Sequence, residues 1–169
     1  MAGASSTWRM AIMRPGEDPI GHLATALASP HVLGLKDADL ANTADVLIEA
    51  TVRRSAMGLV DAVRQARIPK DENVLVLVDQ FEELFRFRRS RHAHSRDDAM
   101  AFVRLLIEAA HQRELPIYIV LTMRSDFIGD CMDFPGLAEA VNEGLYLVGR
   151  MSRGALRSAI TGPVPVGGG

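Results

Sequence analysis

The sequence predicts an α/β fold, a three-layer sandwich built around a parallel sheet. Apolar runs of strand length alternate with segments of helical periodicity, the order that produces parallel strands joined by crossover helices. Residues 74–78 show no polar alternation, so we expect a strand buried on both faces. The composition agrees, because 48% hydrophobic and 24% charged residues in a chain of 169 are typical of one globular domain.

The first half of the chain begins with a strand. The apolar-rich residues 8–13 predict this strand, and a proline-glycine turn ends it. Asp18 can cap a helix whose first residue is Pro19. Residues 38–67 predict two further helices, and Asp79 ends the next strand before a short helix.

The second half alternates helices and strands in the same way. We predict, in order, a helix over residues 97–114, a strand over 116–122, a helix over 134–141, a strand over 145–148 and a helix capped by Ser152. Residues 162–169 show no periodicity. We therefore assign residues 1–161 to a single domain and the remainder to a linker or a truncated tail.

Charge and cysteine content exclude several classes of protein. A net charge of −2 gives the whole molecule no signature for binding nucleic acid or an anionic membrane. The single cysteine, Cys131, cannot form an internal disulfide framework or a cysteine-based zinc site. No apolar run approaches the ~20 residues of a membrane span, and residues 1–6 lack the pattern of a signal peptide. We expect a cytoplasmic protein.

One basic segment could indicate a nucleic-acid patch. Its charged residues are Arg86, Arg88, Arg89, Arg91 and Arg96, with His92 and His94 between them. Only Phe87 could stack on a base, so we interpret the segment as a solvated loop and do not expect nucleic acid as a partner. The two histidines lack a third ligand at suitable spacing for a metal site.

The most informative pattern is an apolar strand that ends in an acid. Glu82 and Glu83 follow Asp79 by three and four residues. Ligands of parallel sheets bind at the carboxyl ends of the strands, where Asp79 would lie. One carboxylate there can hold Mg²⁺ through its water shell, and another can orient or deprotonate an attacking water. The pattern indicates an extended Walker B motif, and the alternative is a strand-end cap followed by a solvated helix flank.

The loop that normally accompanies this motif does not occur in the sequence. There is no G-x-x-x-x-G-K-[ST] segment, and the only lysines, Lys36 and Lys70, do not follow a glycine-rich turn. Such a loop supplies the backbone N–H groups and the lysine that hold the β- and γ-phosphates. The sequence carries acids suited to hydrolysis without the groups that bind phosphate.

Five segments together carry a family resemblance. They are WRMAIMRPGEDP, VDQFEELF, LTMRSDF, LVGRMSR and AITGP, which begin at residues 8, 78, 121, 147 and 159. In this order they resemble the STAND class of P-loop NTPases, signal-transduction ATPases with numerous domains, and in particular its first novel-STAND subgroup of multidomain bacterial proteins. The resemblance covers nearly the whole chain.

The resemblance implies a role for each candidate residue. Asp79 would be the acid on the magnesium side, and Glu82 or Glu83 would position the attacking water. Arg124 would be the sensor arginine that reports the γ-phosphate, although it could instead be only a partner for Asp126. The parent protein would hydrolyse ATP with Mg²⁺ as a slow switch in signalling or immunity.

The resemblance also implies that this chain is an internal fragment. Family members place a strand and the phosphate loop before the Trp8 segment, and a helical lid and usually sensor domains after Pro163. We therefore expect ATP, ADP and Mg²⁺ to act in the parent, and this chain alone to be inactive and to bind none of them tightly. The alternative is a nucleotide-independent interaction or regulatory module with a degenerate NTPase fold. A third interpretation is part of a nucleic-acid-associated ATPase that uses the arginine segment.

The implied topology places the strand of the phosphate loop between the strands at residues 117–122 and 145–148. Without it, the strand at 117–122 exposes an unpaired edge, unless residues 145–148 pair with it. Exposed apolar edges recruit other chains. We therefore expect marginal stability and self-association.

Overall fold

The computed structural model describes residues 7–34, 43–88, 93–149 and 152–161. The strands are β1 (Thr7–Met13), β2 (Glu72–Val78) and β3 (Ile117–Leu121). The helices are α1 (Pro19–Ala28), α2 (Ala44–Val52), α3 (Gly58–Ala66), α4 (Glu83–Arg88), α5 (Ala93–His111), α6 (Leu137–Gly144) and α7 (Arg153–Thr161), and a 3₁₀ helix spans Ser125–Asp133. The predicted tail at 162–169 and the centre of the basic segment at 89–92 lie outside the described residues.

The three strands form one parallel sheet in the order β1-β2-β3. Helices flank the sheet, which confirms the predicted α/β fold with a parallel sheet of the P-loop-like type. Local signals place the helices as expected. Asp18 Oδ1 accepts a hydrogen bond from the N–H of Gly21 at 3.0 Å, and Ser152 Oγ accepts one from Ala155 at 3.2 Å.

The core lies on one face of the sheet. Helices α1 and α5 pack against β1 and β3, and Val74, Val76 and Val78 of β2 are fully buried beneath the helices. Because the strands lie in chain order, the β1-to-β2 and β2-to-β3 crossovers run in the same direction across the sheet. Two right-handed crossovers that run in the same direction place their helices on the same face of the sheet.

The prediction that β2 is buried on both faces is therefore wrong. Leu75 and Leu77 alternate with the buried valines and are only half-buried. We use the term outer sheet face for the seven apolar residues on this side: Trp8, Met10, Ile12, Leu75, Leu77, Tyr118 and Val120. The second helical layer of the predicted sandwich is not among the described residues.

The predicted strand at residues 145–148 is also wrong. These residues form no strand, and Leu145, Tyr146, Leu147 and Val148 are all exposed. Their side chains have a strand-like composition, but a strand exists only when its backbone pairs with a neighbour. Within the described part of the chain, β3 pairs with β2 alone. No helix there is long and apolar enough to cross a membrane.

Candidate functional site

The carboxyl ends of the three strands bring together residues that are far apart in sequence. In the sheet, Met13 pairs with Val78, and Val78 pairs with Leu121. The next residue along each strand is Arg14, Asp79 or Thr122. These three side chains therefore meet at one edge of the sheet, where parallel α/β proteins bind their ligands.

Asp79 accepts hydrogen bonds on both carboxylate oxygens. The Thr122 hydroxyl donates to Oδ1 at 2.7 Å, and the Arg14 Nε–H donates to Oδ2 at 3.0 Å. The Thr122 hydrogen bond, followed by that from Arg14, lowers the pKa of Asp79 below its ordinary value. Asp79 is thus ionised at neutral pH, and more than a third of its side chain is exposed to solvent.

The backbone after Asp79 is fixed by both neighbouring strands. The Asp79 N–H donates to the Met13 carbonyl at 2.8 Å, and the Phe81 N–H donates to the Thr122 carbonyl at 2.9 Å. Gln80 has a φ of 53°, in the left-handed region, and its N–H donates to the Thr122 hydroxyl oxygen at 3.1 Å. A non-glycine residue in this region is uncommon, and here it directs the chain sharply from β2 into α4.

Glu83 faces the loop that follows β1. Its Oε2 accepts a hydrogen bond from the Gly16 N–H at 3.2 Å. Gly16 has a φ of 54°, a conformation that favours glycine, and an added Cβ would lie 2.8 Å from the His22 ring. Glu83 is thereby tied to the segment that also carries Arg14.

Glu82 lies in a different environment. It is only 7% exposed, and its Oε2 has no hydrogen-bond partner among the described residues. The sequence pattern does not distinguish the two adjacent glutamates, but in the structure their side chains lie in different environments. Glu83 reaches the loop beside Asp79, and Glu82 packs at the edge of the core.

Arg124 follows β3 and forms an exposed ion pair. Its Nε and Nη2 donate to the two carboxylate oxygens of Asp126 at 3.2 and 2.9 Å. Its guanidinium carbon also lies 6.0 Å from the centre of the Phe127 ring. Within the described residues, no hydrogen bond or ion pair joins Arg124 to Asp79, Glu82 or Glu83.

A depression of about 570 Å³ opens beside Asp79, and Arg14, Gly16 and His22 contribute to its wall. No group of three or more histidine, cysteine or acidic residues that could hold a metal ion occurs in the described ranges. Mg²⁺ does not need one, since it keeps several waters and is commonly held by one or two carboxylates together with substrate phosphates. An ionised, partly exposed Asp79 fits that mode of binding.

Arg14 and Thr122 were not predicted as site residues. Each directly follows a strand, so the signal was available: strand ends in a parallel sheet meet at one edge. Assigning them needed the register, which places residue 14 and residue 122 on either side of residue 79.

We expect Thr122→Val to raise the pKa of Asp79 more than Arg14→Met does, because the hydroxyl has the larger effect on that pKa. NMR titration of the Asp79 side-chain carboxyl carbon measures both variants. A lowered folded-state pKa adds stability above the unfolded-state pKa, and this stability is lost as the pH falls through the folded-state pKa. Both variants should therefore lose stability at neutral pH and little in strong acid. Arg124→Met, which removes an arginine bonded to Asp126, is the control, and an unchanged Asp79 pKa in Thr122→Val would contradict the assignment.

Comparison with known proteins gives a match to a family model. No curated protein and no solved structure matches the chain. The family model described as Novel STAND NTPase 1 matches residues 1–168. Because this match spans nearly the entire sequence, the chain belongs to the Novel STAND NTPase 1 family.

Proposed function

We propose that these residues form the hydrolysis and sensor part of an ATPase domain that switches a signalling protein between two states. The family supports an NTPase-related signalling role. The observation that carries the finer proposal is the ionised Asp79 at the carboxyl end of β2, with Thr122 and Arg14 on its two oxygens and Glu83 on the adjacent loop.

Asp79 is the residue that would hold Mg²⁺, through water molecules of its hydration shell. When bound, Mg²⁺ neutralises charge on the phosphate oxygens of a nucleotide. Thr122 orients the Asp79 carboxylate by donating a hydrogen bond to Oδ1. The Arg14 hydrogen bond to Oδ2 is then the contact that hydrated Mg²⁺ would replace. The Arg14 pair is exposed, and exposed ion pairs contribute only about 0–1 kcal/mol, so exchanging it for a cation costs little.

Glu83 is the proposed general base. It is the glutamate that reaches the loop beside Asp79, and it can orient an attacking water or accept its proton. Arg124 is the proposed sensor of the γ-phosphate. It must first release Asp126, and both side chains are well exposed, so the exchange meets little resistance.

The isolated chain should not bind Mg-ATP appreciably. Binding at cellular ATP concentrations needs on the order of −5 to −8 kcal/mol, and most of it is expected from a phosphate loop that the sequence does not contain. Isothermal titration calorimetry should detect no saturable binding below millimolar concentrations. A micromolar dissociation constant would contradict this expectation.

The decisive experiment uses a longer chain that includes a phosphate loop encoded in frame upstream. We expect such a chain to hydrolyse ATP with Mg²⁺, and Asp79→Asn to weaken this activity. Asp71→Asn serves as the matched control, because Asp71 is an exposed acid at the opposite end of β2. If no such loop is encoded, or if Asp79→Asn leaves turnover unchanged, the alternative of a nucleotide-independent regulatory module is favoured.

A further inference from the structure

The loop that follows β1, at residues 14–16, makes two contacts with the candidate site. The Arg14 Nε–H donates to the Asp79 carboxylate at 3.0 Å. The Gly16 N–H donates to Glu83 Oε2 at 3.2 Å. Pro15, between them, is buried and has no N–H with which to fix the backbone. Both contacts therefore depend on what else holds the backbone of this loop.

His22, in the first turn of α1, bonds to this backbone. Its ring nitrogen Nδ1 lies 3.2 Å from the Arg14 carbonyl oxygen and 3.0 Å from the Pro15 carbonyl oxygen. Carbonyl oxygens can only accept hydrogen bonds, so Nδ1 must carry the proton and donate it to the pair. The loop thereby selects the tautomer of the neutral ring that is protonated on Nδ1.

The His22 ring also packs against the next residue of the loop. Gly16 has a φ of 54°, and a Cβ added to it would lie 2.8 Å from His22 Cε1 and 3.1 Å from Nδ1. A residue with a side chain would meet the imidazole, so the glycine permits the close approach as well as the left-handed backbone. One side chain thus contacts three consecutive residues of the loop.

The start of α1 holds His22 in position. Asp18 Oδ1 accepts from the Gly21 N–H at 3.0 Å, and the His22 N–H donates to the Asp18 carbonyl at 3.0 Å. Ile20 and Leu23, the neighbours on the same turn, are buried in the core. Because this turn is capped and packed, a side chain that extends from it can hold a loop whose own hydrogen bonds are few.

We propose that His22 is a positioning residue that fixes the loop at residues 14–16 and, through it, Glu83. In the proposed function, the Arg14 side chain leaves Asp79 when hydrated Mg²⁺ binds. The His22 ring bonds to main-chain carbonyls, so its hold does not depend on where the Arg14 side chain points. The loop therefore keeps its hydrogen bond to Glu83 after the exchange. The catalytic consequence rests on the proposed role of Glu83, whereas the hold on the loop does not.

NMR spectroscopy tests the hold in this chain without nucleotide. In the neutral ring, ¹⁵N spectra should show the His22 proton on Nδ1. The backbone order parameter of the Gly16 amide should be about 0.85, the value for a rigid backbone, and should fall below about 0.6 in His22→Leu. His22→Asn should restore it, because the asparagine N–H₂ group follows Cγ as Nδ1 does and can donate to the same carbonyls.

His31→Leu is the matched control for His22→Leu. It makes the same change at an exposed histidine beyond the opposite end of α1, so the order parameter of Gly16 should not change. Arg14→Met separates the two contacts of the loop. It removes the guanidinium and keeps the carbonyl, and we expect Gly16 to stay at about 0.85.

The catalytic consequence is measured in a longer chain that includes a phosphate loop. His22→Leu should lower kcat by roughly ten- to a hundredfold and change ATP affinity by only a few-fold, because a displaced base loses its alignment with the attacking water. His22→Asn should recover most of the lost rate. His31→Leu should hydrolyse ATP at the original rate.

Several results would overturn the proposal. A neutral His22 ring with its proton on Nε2 would leave Nδ1 unable to donate. An ordered Gly16 in His22→Leu, or a disordered one in Arg14→Met alone, would show that His22 does not hold the loop. A His22→Asn variant as disordered as His22→Leu would show that hydrogen bonding is not the cause, and His22→Ala replaces His22→Leu if circular dichroism shows the latter to be unfolded.

Failure of the proposed function would give a different result. Gly16 would lose its order in His22→Leu, but neither this variant nor Glu83→Gln would slow ATP hydrolysis in the longer chain. That combination supports the hold of His22 on the loop and contradicts the assignment of Glu83 as the base. Slow hydrolysis in Glu83→Gln with normal hydrolysis in a disordered His22→Leu would instead contradict the positioning role.

Discussion

Replacing Glu83 by glutamine should slow ATP hydrolysis by roughly a hundredfold or more in a longer chain that contains a phosphate loop, which is the usual effect of losing a positioned general base. Glutamine keeps the size of the side chain and can still accept the Gly16 N–H hydrogen bond, so the loop keeps its position. ATP binding should therefore stay within a few-fold of the unmodified protein. Single-turnover hydrolysis and nucleotide-binding titrations measure the two effects separately.

Glu82→Gln is the matched control for this experiment. Glu82 is adjacent in sequence and carries the same charge, but its side chain is buried. We expect this variant to hydrolyse ATP at close to the original rate. If Glu82→Gln is the slow variant and Glu83→Gln is normal, Glu82 is the general base. If neither variant is slow, the acids that follow β2 are not the catalytic cluster.

Phe81→Ala should destabilise the fold by about 3–5 kcal/mol, the usual cost of removing a buried phenylalanine. Phe81 is fully buried and meets Phe85 edge to face, with ring centres 5.6 Å apart. It also lies two residues after Asp79, so its packing holds the turn that presents the carboxylate. Because typical domains have only about 5–15 kcal/mol of stability in total, this variant should unfold at a much lower denaturant concentration than the unmodified chain.

Chemical denaturation followed by circular dichroism measures the loss. Met132→Ala is the control, because Met132 is 80% exposed and should change stability by less than about 0.5 kcal/mol. A loss below about 1 kcal/mol in Phe81→Ala would mean that the turn after Asp79 does not depend on the aromatic core.

Local signals in the sequence were enough to locate the strands and most helices. Asp18 and Ser152 marked helix starts because capping depends on residues within one turn. The apolar run before Asp79 likewise indicated a buried strand. Its burial on one face only could not be predicted from the run, because that depends on how the crossovers pass over the sheet.

The candidate site was only partly predictable for a related reason. Asp79 stood out as an acid at the end of an apolar strand, whereas Arg14 and Thr122 needed the strand register to be placed beside it. Glu82 and Glu83 could not be separated, since the left-handed turn at Gln80 determines which of them faces the core. Residues 145–148 had a strand-like composition, but pairing is a property of the whole sheet.

The position of Thr122 has a mechanical consequence. Its hydroxyl contacts the Asp79 carboxylate and the Gln80 N–H, and its carbonyl oxygen accepts from Phe81. Thr122 is also only two residues from Arg124 in the sequence. Under the proposed roles, a displacement of Arg124 would reach the Asp79 carboxylate through Thr122, so the sensor and the magnesium-side acid would respond to a nucleotide together.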